Sequence, residues 1–145
     1  MGFWPSAMRT LAFQEEHVFG PGVHGESQIL WVIYRQRRRE VHSLEVHTLC
    51  EQAVVPLSGE IIQIVATSQN DGSLDTSSLT AFRIPTGQGI CMRPGCWHTT
   101  RVGAQEVKCV MFTRRSTTIG LVAHLTSGSS LSESSITLLD RTLAV

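Results

Sequence analysis

Two blocks of this sequence hold side chains able to bind a metal or move a proton. The first, LEVHTLCEQAVVPLSGE from Leu44 to Glu60, offers Glu45, His47 and Gln52; the second, GICMRPGCWH from Gly89 to His98, ends on a histidine. Glu45 and His47 are two positions apart, so an extended strand turns both to one face. They can then serve a single site, with Gln52 after a short break and His98 from a later strand completing a ring of four polar groups inside a small barrel. As catalytic candidates, Glu45, His47 and His98 qualify because carboxylate and imidazole exchange protons near working pH. As a metal set, Glu45, His47, Gln52 and His98 would take a divalent ion; the neutral Gln52 would hold it less tightly than a carboxylate and could equally hydrogen-bond a substrate. Arg35, Arg93, Arg101 and Arg114 are the candidate grips for an anion, since a guanidinium can hold a carboxylate with two parallel bonds.

Other chemistry-bearing residues have blander readings. His17, His24, His42 and His124 lack a motif partner and read as structural or solvated. Cys91, Cys96 and His98 could be drawn as a zinc cluster, but no second closely spaced pair supports it. Trp97 reads as a wall residue beside His98. The charged run Gln36 to Glu40 reads as a solvated turn.

The elements that must position these groups are short strands. Ser27 to Tyr34 (SQILWVIY) is β-branched and aromatic enough for a buried strand. Strands are expected at Val41 to Leu49, Gln52 to Val55, Ile61 to Thr67, Leu79 to Ile84 and Ile90 to Met92. Another starts at Trp97-His98, and closing strands are expected at Val107 to Thr113 and Thr118 to Leu125. Turns fall at Pro56 to Gly59, Asn70-Asp71-Gly72, Pro85 to Gly89 and Pro94-Gly95. Met1 to Phe19 suits a weak amphipathic helix or a strand. Thr126 to Thr137, dominated by serine, reads as a loop in which Ser130 and Glu133 have the spacing to cap a short terminal helix. Regularly spaced strands with Gly/Pro turns imply an all-β antiparallel sandwich or barrel.

A chain of 145 residues suits a single domain, 1–145, with a core that needs no disulfide or metal staple. Twelve Lys plus Arg balance twelve Asp plus Glu, so no global field favours nucleic acid or an anionic membrane. A small-molecule site or self-association fits better. The four cysteines (Cys50, Cys91, Cys96, Cys109) show no CxxC spacing, and no signal-peptide pattern precedes them, so reduced thiols in the cytoplasm are expected. No apolar run approaches the roughly 20 residues of a spanning helix. Apolar strands such as Ile29 to Tyr34 would leave edges for a second copy to cover, so a homodimer is expected.

The two blocks together resemble the paired motifs of the cupins. Glu45, His47, Gln52 and Gly59 stand where the first motif has its histidines, acidic residue and glycine, and Gly89, Pro94, Gly95 and His98 match the second. Within that superfamily the chain looks like the ureidoglycolate lyases, whose LExH block is matched by Leu44, Glu45 and His47. The family's QxxxPxxGE is matched by Gln52, Pro56, Gly59 and Glu60. Asp75, Leu79, Ala81 and Phe82, then Gln88-Gly89 and Trp97-His98, continue the match without a gap. The resemblance covers roughly residues 30 to 115 and implies a cupin-like antiparallel β-barrel of jelly-roll type. It also implies cleavage of ureidoglycolate to glyoxylate and urea, with a divalent metal as the only cofactor to consider. Arg35 and Arg114 match family arginines and, with Gln52 and Arg93, are the expected substrate-binding groups for a small carboxylate-bearing metabolite. Thr99 and Thr100 replace the histidine and proline that usually follow Trp-His, and Arg93 replaces another common histidine. Those departures keep two rivals open: a cupin lyase or cyclase for another metabolite, and a non-catalytic cupin binding a small carboxylate.

Overall fold

The computed structural model describes residues 16–142. Nine strands and one α-helix follow in order, with a 3-10 turn at Thr76–Ser78 between the fourth and fifth strands: β1 (Ser27–Tyr34), β2 (Glu40–His47), β3 (Gln52–Pro56), β4 (Ile61–Ala66), β5 (Thr80–Ile84), β6 (Ile90–Met92), β7 (Trp97–Val102), β8 (Val107–Arg114), α1 (Arg115–Ser127) and β9 (Ser134–Thr142). They form a four-stranded sheet, β1-β8-β3-β6, and a five-stranded sheet, β5-β4-β7-β2-β9. Every pairing is antiparallel. The first pairs with the eighth, second with seventh, third with sixth and fourth with fifth, as when one long hairpin folds back on itself. That nesting is the jelly roll. The two sheets lie face to face without closing into a continuous barrel, so the expected all-β antiparallel cupin-like fold is present in its open form.

Two apolar clusters hold the five-stranded sheet from either side. Val54, Ile61, Met92, Val102, Val107 and Cys109 fill the space between the sheets. Val41, Leu44, Val46, Ile64, Ala66 and Trp97 pack on the opposite face of that sheet, under Leu74 and Leu79 of the β4–β5 connection. Strand alternation explains the split, since neighbours such as Val46 and His47 must face opposite ways. Trp97 is a wall residue of the outer cluster, its Nε1 donating to Ser68 Oγ at 3.0 Å. On β1 the inward residues are half-buried, while Ile29, Trp31 and Ile33 are exposed on the outer face of an edge strand.

Strand expectations agree with the structure to within a few residues except near the C-terminus. Thr118 to Leu125, expected as a closing strand, lies inside α1. β-branched residues favour a strand locally, but both flanks of β8 are already paired, with β1 and β3. The chain leaving it cannot pair beside β8 and packs as a helix against β8 and β9 instead, so packing overrides propensity. Hydroxyls that would compete with the helix instead donate four residues back, Thr118 to the Arg114 carbonyl and Thr126 to that of Val122. Gly128 then ends the helix at φ 71, donating to the His124 carbonyl. The short helix expected after Ser130 is absent: Ser134–Thr142 forms β9 on the flank of β2. The helix-or-strand reading of Met1 to Phe19 lies mostly outside the described residues, and 16–19 has no regular structure.

Candidate active site

β2 and β7 meet in register where Glu45 stands opposite His98. Val102 of β7 lies in the inter-sheet cluster, so His98 and Thr100, in step with it, also face inward. On β2, Leu44 and Val46 belong to the outer cluster, leaving Glu45 and His47 to face inward beside His98. His98 Nε2 lies 3.4 Å from Glu45 Oε1. The His47 and His98 rings have centroids 5.0 Å apart and planes at 62°. One donor atom from each of the three residues lies within 4.8 Å of the others.

The ring orientations are fixed from behind. His98 Nδ1 is 3.0 Å from the Cys96 carbonyl oxygen, which only accepts, so Nδ1 carries a hydrogen and Nε2 is the working atom. His47 Nδ1 is 2.8 Å from Ser134 Oγ at the start of β9. Nε2 of each histidine is buried without a hydrogen-bond partner among the described residues. Two orphaned imidazole nitrogens beside a carboxylate mark a place where a proton, a cation or a substrate group belongs. Two nitrogens and an oxygen suit a divalent transition ion, and the contacts to Cys96 and Ser134 are the outer groups such ligands use to hold their rings.

Charge in this cluster is set by burial and mutual contact. Burial would raise the Glu45 pKa, but His98 and then His47 outweigh it and hold the carboxyl below its usual range. His47 is pushed down to about 4, first by burial and then by His98, against the opposing pull of Glu45. The pair therefore presents an ionised carboxylate and a neutral His47 at neutral pH. Tyr34, on the facing sheet, is pushed up to about 12, chiefly by burial, and stays a neutral phenol.

A cavity of about 320 Å³ opens beside the pair, with Tyr34, Gln36, Glu45, His98, Thr100 and Arg101 in its wall. His47 lies behind His98 and outside that wall. Arg101 borders the cavity but is largely committed, donating to the carbonyls of Arg38, Thr100 and Glu40 and to Thr99 Oγ1. Arg35 is exposed and paired with Glu106. Arg114 donates to the Pro21 and Val23 carbonyls and to Ser116 Oγ, and lies 3.6 Å from Glu133. Arg93 borders a different groove, one that includes Phe82 and Met92. The three arginines expected to bind substrate are thus not in the wall of the cavity beside Glu45 and His98.

Gln52 stands on the inward face of β3, in step with Val54 of the inter-sheet cluster, so it reaches the interior from the opposite sheet. The next inward positions across that sheet are Thr113 and Gln28, register partners whose Oγ1 and Oε1 are buried without a hydrogen-bond partner among the described residues. These two, with Tyr34 and Ser134, escape a reading from sequence. Tyr34 and Gln28 carry one usable signal, their even spacing with Leu30 and Val32 on β1. Ser134 carries none, being one serine in a serine-rich tract.

A family model described as ureidoglycolate lyase matches residues 7–126. The ureidoglycolate lyase of Escherichia coli (strain K12 / DH10B) is 34% identical over 67 residues, 46% of this chain and 41% of that protein. That of Shigella boydii serotype 18 (strain CDC 3083-94 / BS512) shows the same identity and coverage. The chain spans about two fifths of the length of these curated relatives. Among solved structures, hydroxypropylphosphonic acid epoxidase from S. wedmorenis aligns with a TM-score of 0.47 at 14% identity, over 59% of this chain and 42% of that one. Oxalate oxidase in complex with the substrate analogue glycolate aligns at 0.46 and 16% identity, over 59% and 40%. These structural likenesses are too distant to bear on the site's chemistry.

Proposed function

Because the chain belongs to the ureidoglycolate lyase family, we propose that it cleaves ureidoglycolate to glyoxylate and urea, with Glu45 and His98 handling the protons. The observation that carries this is the ionised Glu45 carboxylate 3.4 Å from His98 Nε2 at the wall of a substrate-sized cavity. Ureidoglycolate is a carbinolamine. Its hydroxyl loses a proton, the C–O bond becomes C=O, the C–N bond breaks, and the departing urea nitrogen gains a proton. Glu45 accepts the first proton, and His98, protonated on Nε2 opposite that carboxylate, supplies the second. His47 is held neutral by burial and by its neighbour, so it is not the proton donor. The neutral Tyr34 hydroxyl, in the wall of the same cavity, is the donor available to the substrate carboxylate, since the Thr100 hydroxyl is committed to Gln63 Oε1.

Glu45, His47 and His98 would also hold a divalent cation, with Gln52 as a further oxygen donor from the facing sheet. Such an ion, when bound, supplies a Lewis acid that polarises the substrate hydroxyl. Coordination and proton transfer compete for the same Nε2 lone pairs, so chelation distinguishes them. The test is to measure urea and glyoxylate separately from ureidoglycolate, before and after exhaustive chelation. Equal amounts of both products are expected. Activity that survives chelation assigns the lone pairs to proton transfer, and loss reversed by a divalent ion assigns them to a metal. No product under either condition, from a folded chain, rejects the activity.

The chain acts, in this reading, as one cupin-like domain in the cytoplasm. No helix among the described residues is long and apolar enough to cross a membrane. It pairs as a homodimer through the outer face of β1, where Ile29, Trp31 and Ile33 are 52%, 74% and 45% exposed. Sedimentation should show a dimer at micromolar concentration that Trp31→Glu converts to monomer; a wild-type monomer would remove this part of the proposal.

A further inference from the structure

A second group of ligand-type side chains meets on the outer side of the four-stranded sheet, away from Glu45 and His98. Cys91 lies on the edge strand β6, opposite Ala53 of β3 and directed away from the inter-sheet cluster that holds its neighbour Met92. His17 comes from the segment before β1, and Glu51 from the turn before β3. His17 Nε2 is 2.9 Å from Glu51 Oε2 and 3.4 Å from Cys91 Sγ, and one donor atom of each lies within 4.8 Å of the others. They are 34 and 74 positions from His17 in sequence, so the fold alone brings them together.

A cysteine, a histidine and a glutamate in contact suggest first a nucleophile and its relay. The geometry excludes that. A relay uses one ring nitrogen toward the thiol and the other toward the carboxylate, whereas here Nε2 faces both. Three donors converging on one point is the arrangement of a metal centre. Imidazole nitrogen, thiolate sulfur and carboxylate oxygen form a borderline-soft set suited to zinc. Three protein ligands leave a fourth position for water, and the half-exposed His17 leaves a path for entry.

We propose that His17, Glu51 and Cys91 form a second metal site, taking a zinc-like divalent ion. Its role is structural. Glu51 Oε2 also accepts from Gly20 N at 2.8 Å, the Glu51 N–H donates to the Gly20 carbonyl at 3.0 Å, and Phe19 packs against Phe112 with ring centroids 6.4 Å apart. The site therefore clamps the segment before β1 across the β3–β6 edge. Binding displaces the thiol proton to solvent, so occupancy rises with pH.

Cobalt(II) is the probe, because thiolate ligation gives a sulfur-to-cobalt charge-transfer band that nitrogen and oxygen ligands do not. The reduced, metal-stripped full chain should bind cobalt with that band, and zinc should displace it. Cys91→Ser should lose the band and His17→Ala should weaken binding, each with unchanged circular dichroism. His98→Ala should keep the band, which separates this site from the one proposed to act on ureidoglycolate. Cys91→Ser should also retain the wild-type rate of urea formation. Absence of the band in the wild type, or its survival in Cys91→Ser, overturns the proposal.

Discussion

Replacing His98 by Gln should lower the rate of urea release from ureidoglycolate by about 10²–10⁴-fold, the range for loss of a positioned acid or base. The fold should survive. Among the described residues His98 bonds the Cys96 carbonyl through Nδ1 and faces Glu45 Oε1 through Nε2 at 3.4 Å, and an amide of similar reach keeps a polar group at that position. The loss should appear in kcat more than in KM, because the proton on Nε2 matters only as the C–N bond breaks. Glu45→Gln should behave similarly, removing the carboxylate opposite Nε2. Equal circular dichroism and denaturation midpoints with a rate within threefold of wild type, a difference of about 0.6 kcal/mol in the barrier, would show that His98 does not handle the proton.

The second large effect is on stability. In the metal-free chain His47 has a pKa of about 4, against 6.5 in an unperturbed imidazole. Between those values the unfolded chain binds a proton that the folded chain refuses. Stability therefore falls as pH falls through this window, by about 2 kcal/mol between pH 7 and pH 5. Glu45 acts in the same direction but lower, since its pKa is depressed below 4.5 and its contribution is lost only beneath that value. Urea denaturation at pH 7 and pH 5 should show that loss in the wild type and much less in His47→Gln. An identical pH slope in both chains would mean that His47 is not held neutral.

How far the sequence discloses this arrangement depends on the range over which each signal acts. The β-branched and aromatic run SQILWVIY marks the bounds of β1, though it reads as buried where the structure leaves Ile29, Trp31 and Ile33 exposed on an edge strand. The two-residue spacing of Glu45 and His47 sets their shared face, because strand geometry has a period of two. His98 is legible through the Pro94-Gly95 corner and the resemblance it completes. The failures come from partners that no local pattern names. β9 folds back on β2, placing Ser134 against His47 across 87 positions, and the serine-rich text before it reads only as loop. Arg114 looks free at a strand end, yet the carbonyls of Pro21 and Val23 occupy it from some 90 positions away. Thr118 to Leu125 reads as a strand because β-branched residues favour extension, while occupancy of both flanks of β8 decides otherwise.

Co-crystallisation with glyoxylate, a product of the proposed reaction, tests the shared site most directly. Density for the glyoxylate within hydrogen-bond distance of His98 Nε2 and Glu45, in the cavity beside Tyr34 and Thr100, is the predicted result. Glyoxylate bound only elsewhere, or a His98 ring turned out of the interior away from Glu45 and His47, would contradict it.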